Sequence, residues 1–161
     1  MFYENTNFKF TASLESNWLL IKEELTGKLR KDNFISWHEK FLYNQGWDVF
    51  GLYAFGKKLE NNCRLCPETT KLVESIPGMT TAGFSSLAPG THIVPHVGYT
   101  NTVLRCHLGI IVPDNCGIRV GNQTRNWIEG RCFIFDDTVE HEAWNRSFIP
   151  RIVLLIDFKK P

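Results

Sequence analysis

The sequence lacks the features that would direct a protein to a membrane or to nucleic acid. No apolar run reaches the roughly 18–20 residues needed to span a bilayer. The net charge at pH 7 is only +1, too small for a general attraction to nucleic acid or anionic lipid. The first residues, M-F-Y-E-N-T-N-F-K-F, lack the basic and then apolar pattern of a secretory signal. We therefore expect a cytoplasmic protein whose partners include neither nucleic acid nor a membrane.

The sequence has five cysteines, an odd number. An odd count without a secretory signal argues for reduced thiols. Cys63 and Cys66 form a single C-x-x-C, whereas a zinc ribbon needs a second pair. A redox motif would open a helix after a strand, and we predict a loop here. We therefore interpret both residues as ordinary loop cysteines. The other three cysteines are Cys106, Cys116 and Cys132.

The 161 residues, 43% of them hydrophobic, are enough for one globular domain with its own core. Apolar residues at helical spacing predict a helix over residues 17–31, with Ser16 as its N-cap. A short helix or turn-rich segment is predicted at 37–43, a strand at 47–55 and another short helix at 67–75. We thus predict a single domain over residues 1–161, in which residues 1–45 form a helical support and residues 46–161 a β core.

Short apolar runs separated by turn residues dominate from residue 80 onward. This spacing is typical of a β-sandwich or barrel, and the strand count fits a double-sheet jelly roll of the cupin type. The predicted fold is therefore mainly β, with the N-terminal helices packed on one sheet. The predicted strands cover residues 81–87, 92–96, 102–112, 117–120, 131–135, 140–144 and 151–158.

Two histidines stand about 45 residues apart at the ends of predicted strands. His96 lies in P-H-V-G-Y-T-N and His141 in D-D-T-V-E-H-E-A-W-N. Iron(II) oxygenases use two histidines and one carboxylate, but the residue two positions after His96 is Gly98, which supplies no ligand. Glu140 and Glu142 flank His141, so on a strand their side chains should point to the opposite face. The residues alone leave open both a metal site and two structural histidines.

Arg151 opens a strand that is apolar on both faces, I-V-L-L-I. A buried arginine needs an anionic partner, and its guanidinium matches a carboxylate bidentately. The partner could be a bound carboxylate ligand. It could also be a salt bridge to Asp136, Asp137 or Asp157.

Five segments carry a resemblance to a known family, and in order they read P-G-T-H-I-V-P-H-V-G-Y-T-N, L-R-C-H-L-G-I-I-V-P, C-G-I-R-V-G-N-Q-T-R-N-W-I-E-G, F-D-D-T-V-E-H-E-A-W-N and R-I-V-L-L-I-D. A weaker match reaches back through residues 50–58 and 67–77. These segments resemble the aspartyl/asparaginyl β-hydroxylases, which are Fe(II)- and 2-oxoglutarate-dependent dioxygenases with a double-stranded β-helix. The resemblance implies an enzyme that hydroxylates a C–H bond with O2 and releases succinate and CO2.

The same resemblance implies a ligand set for iron. Members of this family have glycine at the position of Gly98 and hold iron with two histidines alone. His96 and His141 would accordingly be the metal ligands.

The resemblance also implies a co-substrate pocket. Arg151 would bind the distal carboxylate of 2-oxoglutarate with the help of Ser85. Arg105 and His107 would complete the pocket. Tyr53 stands where the family often has a tryptophan and would supply an aromatic contact.

The expected substrate is an amino acid, a short peptide or another small metabolite, because the chain is little longer than a catalytic core. Val103 replaces a basic residue of some peptide-acting members, and Arg105 is expected to be available to an anionic group of the substrate. Two other functions remain open. One is a halogenase that binds chloride at the ligand position left open by Gly98. The other is a non-enzymatic, cupin-like metal-binding module.

Overall fold

Two antiparallel β-sheets face each other in the computed structural model, which describes residues 2–161. The larger sheet contains, in spatial order, β1 (Phe2–Tyr3), β10 (Cys132–Phe135), β7 (Val103–Ile111), β12 (Arg151–Lys159), β5 (Met79–Leu87), β3 (Trp47–Ala54) and β2 (Ile35–Ser36), with β4 (Lys57–Lys58) paired to β3. The smaller sheet contains β6 (His92–His96), β11 (His141–Asn145), β8 (Cys116–Val120) and β9 (Gln123–Arg125).

The predicted jelly roll is confirmed, and each strand predicted after residue 80 is present with its ends shifted by at most two residues. The four strands that were not predicted, β1, β2, β4 and β9, have only two or three residues. Segments this short carry too little alternation of apolar and polar residues for a sequence to reveal them.

Four helices accompany the sheets: α1 (Phe10–Ser16), α2 (Trp18–Lys28), α3 (Glu60–Leu65) and α4 (Pro67–Glu74). The helices predicted at 17–31 and 67–75 are α2 and α4. The prediction that Ser16 caps a helix is wrong. The side chains of Ser16 and Asn17 both donate hydrogen bonds back to the Ser13 carbonyl, so they close α1 instead of opening α2.

The predicted loop at the C-x-x-C pair is also wrong, because Cys63 lies within α3. Its thiol donates to the Leu52 carbonyl at 3.3 Å. Cys66 is fully buried, and burial raises the pKa of its thiol to about 12. A thiol held in this protonated state is a poor metal ligand and a poor nucleophile.

Two apolar clusters hold the layers together. One lies between the helices and the outer face of the larger sheet, where Ile21 of α2 belongs to the same cluster as Phe84 and Leu108. The other lies between the two sheets and includes Ile118 and Val153. The helices therefore support the larger sheet from outside, and the polar residues of the candidate site lie between the sheets beside the second apolar cluster.

Strand register brings those polar residues together. His141 of β11 is the cross-strand partner of His96 in β6. In the larger sheet, Val153 of β12 pairs with Ser85, and Leu155 pairs with His107. Residues far apart in the sequence thus meet along the inner faces of neighbouring strands.

Candidate functional site

His96 and His141 form a close pair, with ring centroids 4.3 Å apart. The Nδ1 atom of each ring lies 2.8 Å from a backbone carbonyl two residues earlier, Val94 for His96 and Val139 for His141. A carbonyl can only accept, so Nδ1 carries a proton in both rings, and the neutral form of each ring therefore has its lone pair on Nε2. Burial lowers the pKa of His141 to about 3, so this imidazole is neutral near pH 7. Neutral imidazoles of this kind are good ligands for a divalent transition metal.

No group of three histidine, cysteine, aspartate or glutamate side chains within residues 2–161 is arranged to hold a metal ion. At the position where a carboxylate ligand would be expected, Gly98 packs against Asp137. Its backbone N–H donates to the Asp137 carbonyl at 2.7 Å, and a Cβ at Gly98 would collide with the Asp137 carboxylate. A side chain at residue 98 would therefore require the Asp137 carboxylate to move.

The glutamates that flank His141 bind other partners, as their position on the strand predicts. Glu142 accepts from Arg119 Nε at 2.8 Å and lies 3.1 Å from His92 Nε2. Glu140 accepts from Arg119 Nη2 at 3.0 Å. Neither carboxylate joins the His96–His141 pair.

Arg151 is 2% exposed and has no carboxylate partner among the residues that the structure describes. The three carboxylates that the sequence offered lie beside other cations: Asp157 pairs with Arg105, Asp136 with Lys160, and Asp137 lies 3.5 Å from Arg105. Burial lowers the pKa of Arg151 to about 9, as expected for a guanidinium that lacks a compensating anion.

The Arg151 guanidinium has unused hydrogen-bonding capacity. Its Nη2 donates to the Ser85 carbonyl and hydroxyl at 3.1 and 3.3 Å, and its Nε has no partner. The Ser85 hydroxyl also accepts from Trp47 Nε1 at 3.0 Å, which leaves its own proton free to be donated. His107 Nε2 is buried and likewise without a partner. Arg151, Ser85 and His107 line the same narrow cavity as His96 and His141.

Arg105 lines this cavity too, but its charge is already matched. It donates from Nε and Nη2 to the two oxygens of Asp157, at 2.7 and 2.9 Å. Burial disfavours the charged form, yet Asp157 and Asp137 still raise the pKa of Arg105 above its usual value. The guanidinium is therefore not the free anion-binding group that we expected from the sequence.

Tyr53 is not brought into this cavity. A register shift between Gly51 and Tyr53 in β3 changes the alternation of faces, and the Tyr53 hydroxyl lies 2.6 Å from Glu74 of α4. The aromatic residue of β3 that reaches the cavity is Trp47. Trp47 was not singled out from the sequence, because an indole at the start of a strand is usually a core residue.

Two further cavities adjoin the site. The first, about 260 Å³, borders His96 and Gly98 and is lined by aromatic and charged side chains that include Tyr99 and Asp137. The second, about 350 Å³, runs along β2, β3 and β5 and is mainly apolar. The two share four lining residues, Trp37, His38, Phe55 and Thr81.

Known proteins resemble the chain along nearly its whole length. It is 43% identical to an ornithine lipid ester-linked acyl 2-hydroxylase from Rhizobium tropici, over 99% of this chain and 60% of that protein. It is 38% identical to the human aspartyl/asparaginyl beta-hydroxylase, over 95% of this chain and 21% of that protein. The chain thus spans less than two thirds of the length of either relative.

Solved structures share the fold at low sequence identity. A predicted oxalate decarboxylase from Thermotoga maritima matches with a TM-score of 0.52 and 10% identity, over 79% of this chain and 90% of that one. The cupin domain of an XRE family transcriptional regulator from Enterobacter cloacae matches with a TM-score of 0.50 and 12% identity, over 73% of this chain and all of that one. These likenesses establish the cupin-like fold.

The family comparison agrees with the fold and covers the site. The family model described as aspartyl/asparaginyl beta-hydroxylase matches residues 15–161, which include both histidines of the pair and Arg151. The chain belongs to the aspartyl/asparaginyl beta-hydroxylase family.

Proposed function

We propose that the protein is an Fe(II)- and 2-oxoglutarate-dependent dioxygenase that hydroxylates a C–H bond. The observation that carries this proposal is the pairing of two kinds of group in one cavity. The Nε2 lone pairs of His96 and His141 suit a cation, and the unpaired guanidinium of Arg151 suits an anion. A metal ion together with a dicarboxylate chelator would satisfy both.

The donor set fits iron(II), because two neutral imidazoles leave most coordination positions open. When bound, iron with 2-oxoglutarate and O2 would supply the oxidising chemistry, with succinate and CO2 as coproducts. Arg151, Ser85 and His107 would orient the distal carboxylate through their unused donors. Apolar side chains, Ile118 and Phe135 among them, would exclude water from the same cavity.

Hydroxylation is favoured over halogenation by the group beside Gly98. A halogenase would need room for chloride at the open ligand position. The Asp137 carboxylate, 2% exposed, packs against Gly98 there and would repel a second anion. A purely structural metal-binding module would have no use for a buried guanidinium without a counter-ion, which favours an enzyme over that alternative.

The substrate that we propose is an amino acid, a short peptide or another small metabolite. The cavity of about 260 Å³ beside His96 and Gly98 has the size for a group of this kind. Its walls combine aromatic faces, such as Trp37 and Tyr99, with charged side chains, which suits a polar substrate.

We also propose that the protein is located in the cytoplasm, because all five cysteines are unpaired thiols.

A second substrate class, an acyl chain of an amphiphile, is favoured by the adjoining apolar cavity of about 350 Å³. Ile35 and Phe55 line this cavity and remain 69% and 68% exposed, so its mouth is apolar as well. The relative from Rhizobium tropici is named as a hydroxylase of an ester-linked acyl group. Amphiphiles therefore belong among the substrates to be tested.

The decisive experiment is anaerobic addition of Fe(II) and 2-oxoglutarate, followed by O2 and a library of amino acids, peptides, metabolites and short-chain acyl amphiphiles. A charge-transfer absorption band before O2, and succinate released in step with a hydroxylated product, are expected. An Arg151→Gln protein is the control for the co-substrate. Absence of the band together with absence of succinate would rule out the proposal, and a chlorinated product that depends on chloride would favour the halogenase.

A further inference from the structure

Trp127 lies in the connection between β9 and β10, outside any strand, yet it is only 3% exposed. The connection is fixed to β7 where Gly130 N–H donates to the Gly109 carbonyl at 2.9 Å. A Cβ at Gly109 would collide with the Ile128 carbonyl, so the connection can cross β7 closely only at a glycine. The indole is thereby held firmly against the inner face of the larger sheet.

The indole N–H of Trp127 points at His107, with Nε1 3.1 Å from the His107 Nδ1 atom. Indole nitrogen can only donate a hydrogen bond, so His107 Nδ1 must be the acceptor. The imidazole is kept neutral, because burial and then the neighbouring Arg151 and Arg105 lower its pKa well below the ordinary value. Its single proton therefore sits on Nε2, the buried atom without a partner that lines the cavity.

Three histidines thus face one cavity in two opposite tautomers. His96 and His141 donate from Nδ1 to carbonyls and present Nε2 lone pairs, which suit a cation. His107 accepts at Nδ1 and presents an Nε2–H, which suits an anion. The choice is made by the partner behind each ring, a carbonyl in two cases and the Trp127 indole in the third.

Trp127 also supports the other anion-binding group. The Arg151 guanidinium carbon lies 4.4 Å from the centroid of the indole ring, a cation–π distance. This contact stabilises a cation that has no carboxylate partner, and it fixes the direction of the free Nε–H. The Trp127 side chain therefore positions both anion-binding groups, the Nε2–H of His107 and the guanidinium of Arg151.

We propose that Trp127 is a positioning residue of the anion-binding pocket, whose N–H fixes the His107 tautomer while its ring face holds Arg151. The inference rests on the proposed function only for the identity of the anion, 2-oxoglutarate. The tautomer itself follows from the contacts of this chain, so it can be tested without turnover.

The test combines NMR with a binding measurement on the full chain. In ¹⁵N-labelled protein, a scalar coupling is expected across the hydrogen bond between Trp127 Nε1 and His107 Nδ1, and the His107 shifts should show the proton on Nε2. Replacement of Trp127 by 3-benzothienylalanine keeps the ring and removes the N–H, so folding and the Arg151 contact are retained. Trp127→Phe is a second variant, and Trp144→Phe is a matched control, because Trp144 stacks with Arg146 on the other sheet.

Both Trp127 variants should show a mixture of His107 tautomers by NMR. Calorimetry with Mn(II) present should show that both variants bind 2-oxoglutarate roughly tenfold more weakly, which is the effect of one lost hydrogen bond to a charged group. Trp144→Phe should change neither property. A proton on His107 Nδ1 in the wild type, or unchanged affinity in the benzothienylalanine protein, would overturn the inference. If the wild type binds no 2-oxoglutarate at all, the proposed function fails separately, and the NMR result alone decides whether Trp127 fixes the tautomer.

Discussion

His96 and His141 are cross-strand partners whose rings are held by the same local contact, a hydrogen bond of 2.8 Å from Nδ1 to the carbonyl two residues earlier. Each contact lies within a segment of three residues, Val94–His96 or Val139–His141. The pairing of β6 with β11 then brings the two segments together. The orientation of both rings is therefore determined by the strands, before any metal ion binds.

Loss of either histidine should abolish metal binding without unfolding the protein. We expect His141→Gln to lower the bound Fe(II) or Mn(II) from about one equivalent to a small fraction, because a single imidazole is too weak a ligand set. The measurement is metal content after gel filtration. His92→Gln is the matched control, since His92 contacts Glu142 and lies outside the cavity. Equal metal loss in the control would contradict the assignment.

Gly98 and Asp137 should be energetically coupled. Gly98→Ala is expected to cost roughly 1–3 kcal/mol of stability, because the new methyl group collides with the Asp137 carboxylate. In an Asp137→Ala background the same change should cost much less, since the atoms nearest to the new methyl group all belong to the Asp137 side chain. Urea denaturation of the two single variants and the double variant measures the coupling. If the stability losses of the two single variants simply add up in the double variant, Gly98 is required for a reason other than its contact with Asp137.

Much of this architecture could be predicted from the sequence. Alternation of apolar residues and turn-forming breaks located every strand longer than three residues, and the matching blocks pointed to His96, His141 and Arg151. These three do lie in one cavity. They were recognisable because each is a polar residue at the end of an apolar strand, where a side chain is conspicuous without knowledge of its contacts.

The contacts that complete the site could not be predicted in the same way. A bulge in β3 turns Tyr53 toward α4, and local composition does not reveal a bulge. Arg105 is matched by Asp157, a pairing that depends on the register of β7 with β12. Trp127 reaches His107 from an irregular connection, whose path is set by close approaches at glycines. Such relations are long-range and become visible only in the folded chain.

Breaking the Arg105–Asp157 pair should strongly destabilise the folded protein. Asp157→Asn is expected to lower stability by about 3 kcal/mol or more, because it leaves a buried guanidinium with only Asp137, 3.5 Å away, as an anionic neighbour. Glu68→Gln, which breaks the exposed Lys71–Glu68 pair on α4, is the control and should have no measurable effect. Thermal and urea denaturation provide the comparison. A small effect of Asp157→Asn would mean that Arg105 is less buried than the structure indicates.

Replacement of Arg151 should raise the stability of the ligand-free protein and weaken its binding of 2-oxoglutarate. Its guanidinium is 2% exposed, lacks a carboxylate partner and has an unused Nε–H, so the folded chain is destabilised by it in the absence of an anion. Arg151→Met keeps much of the volume and removes the charge. We expect this variant to raise the stability of the ligand-free protein by about 1–3 kcal/mol. We also expect it to raise the concentration of 2-oxoglutarate needed for half-maximal binding at least tenfold, from the loss of a charged hydrogen bond.

The two measurements together separate the possible roles of this arginine. With Mn(II) present throughout, added 2-oxoglutarate should raise the melting temperature of the wild type and leave that of Arg151→Met almost unchanged, since a ligand stabilises only a fold that binds it. Arg119→Met is the control for removal of an arginine from the other sheet, where Glu142 and Glu140 neutralise it. It should lose no co-substrate affinity. A destabilised Arg151→Met protein that still binds 2-oxoglutarate normally would show that Arg151 is a structural residue and that the anion binds elsewhere.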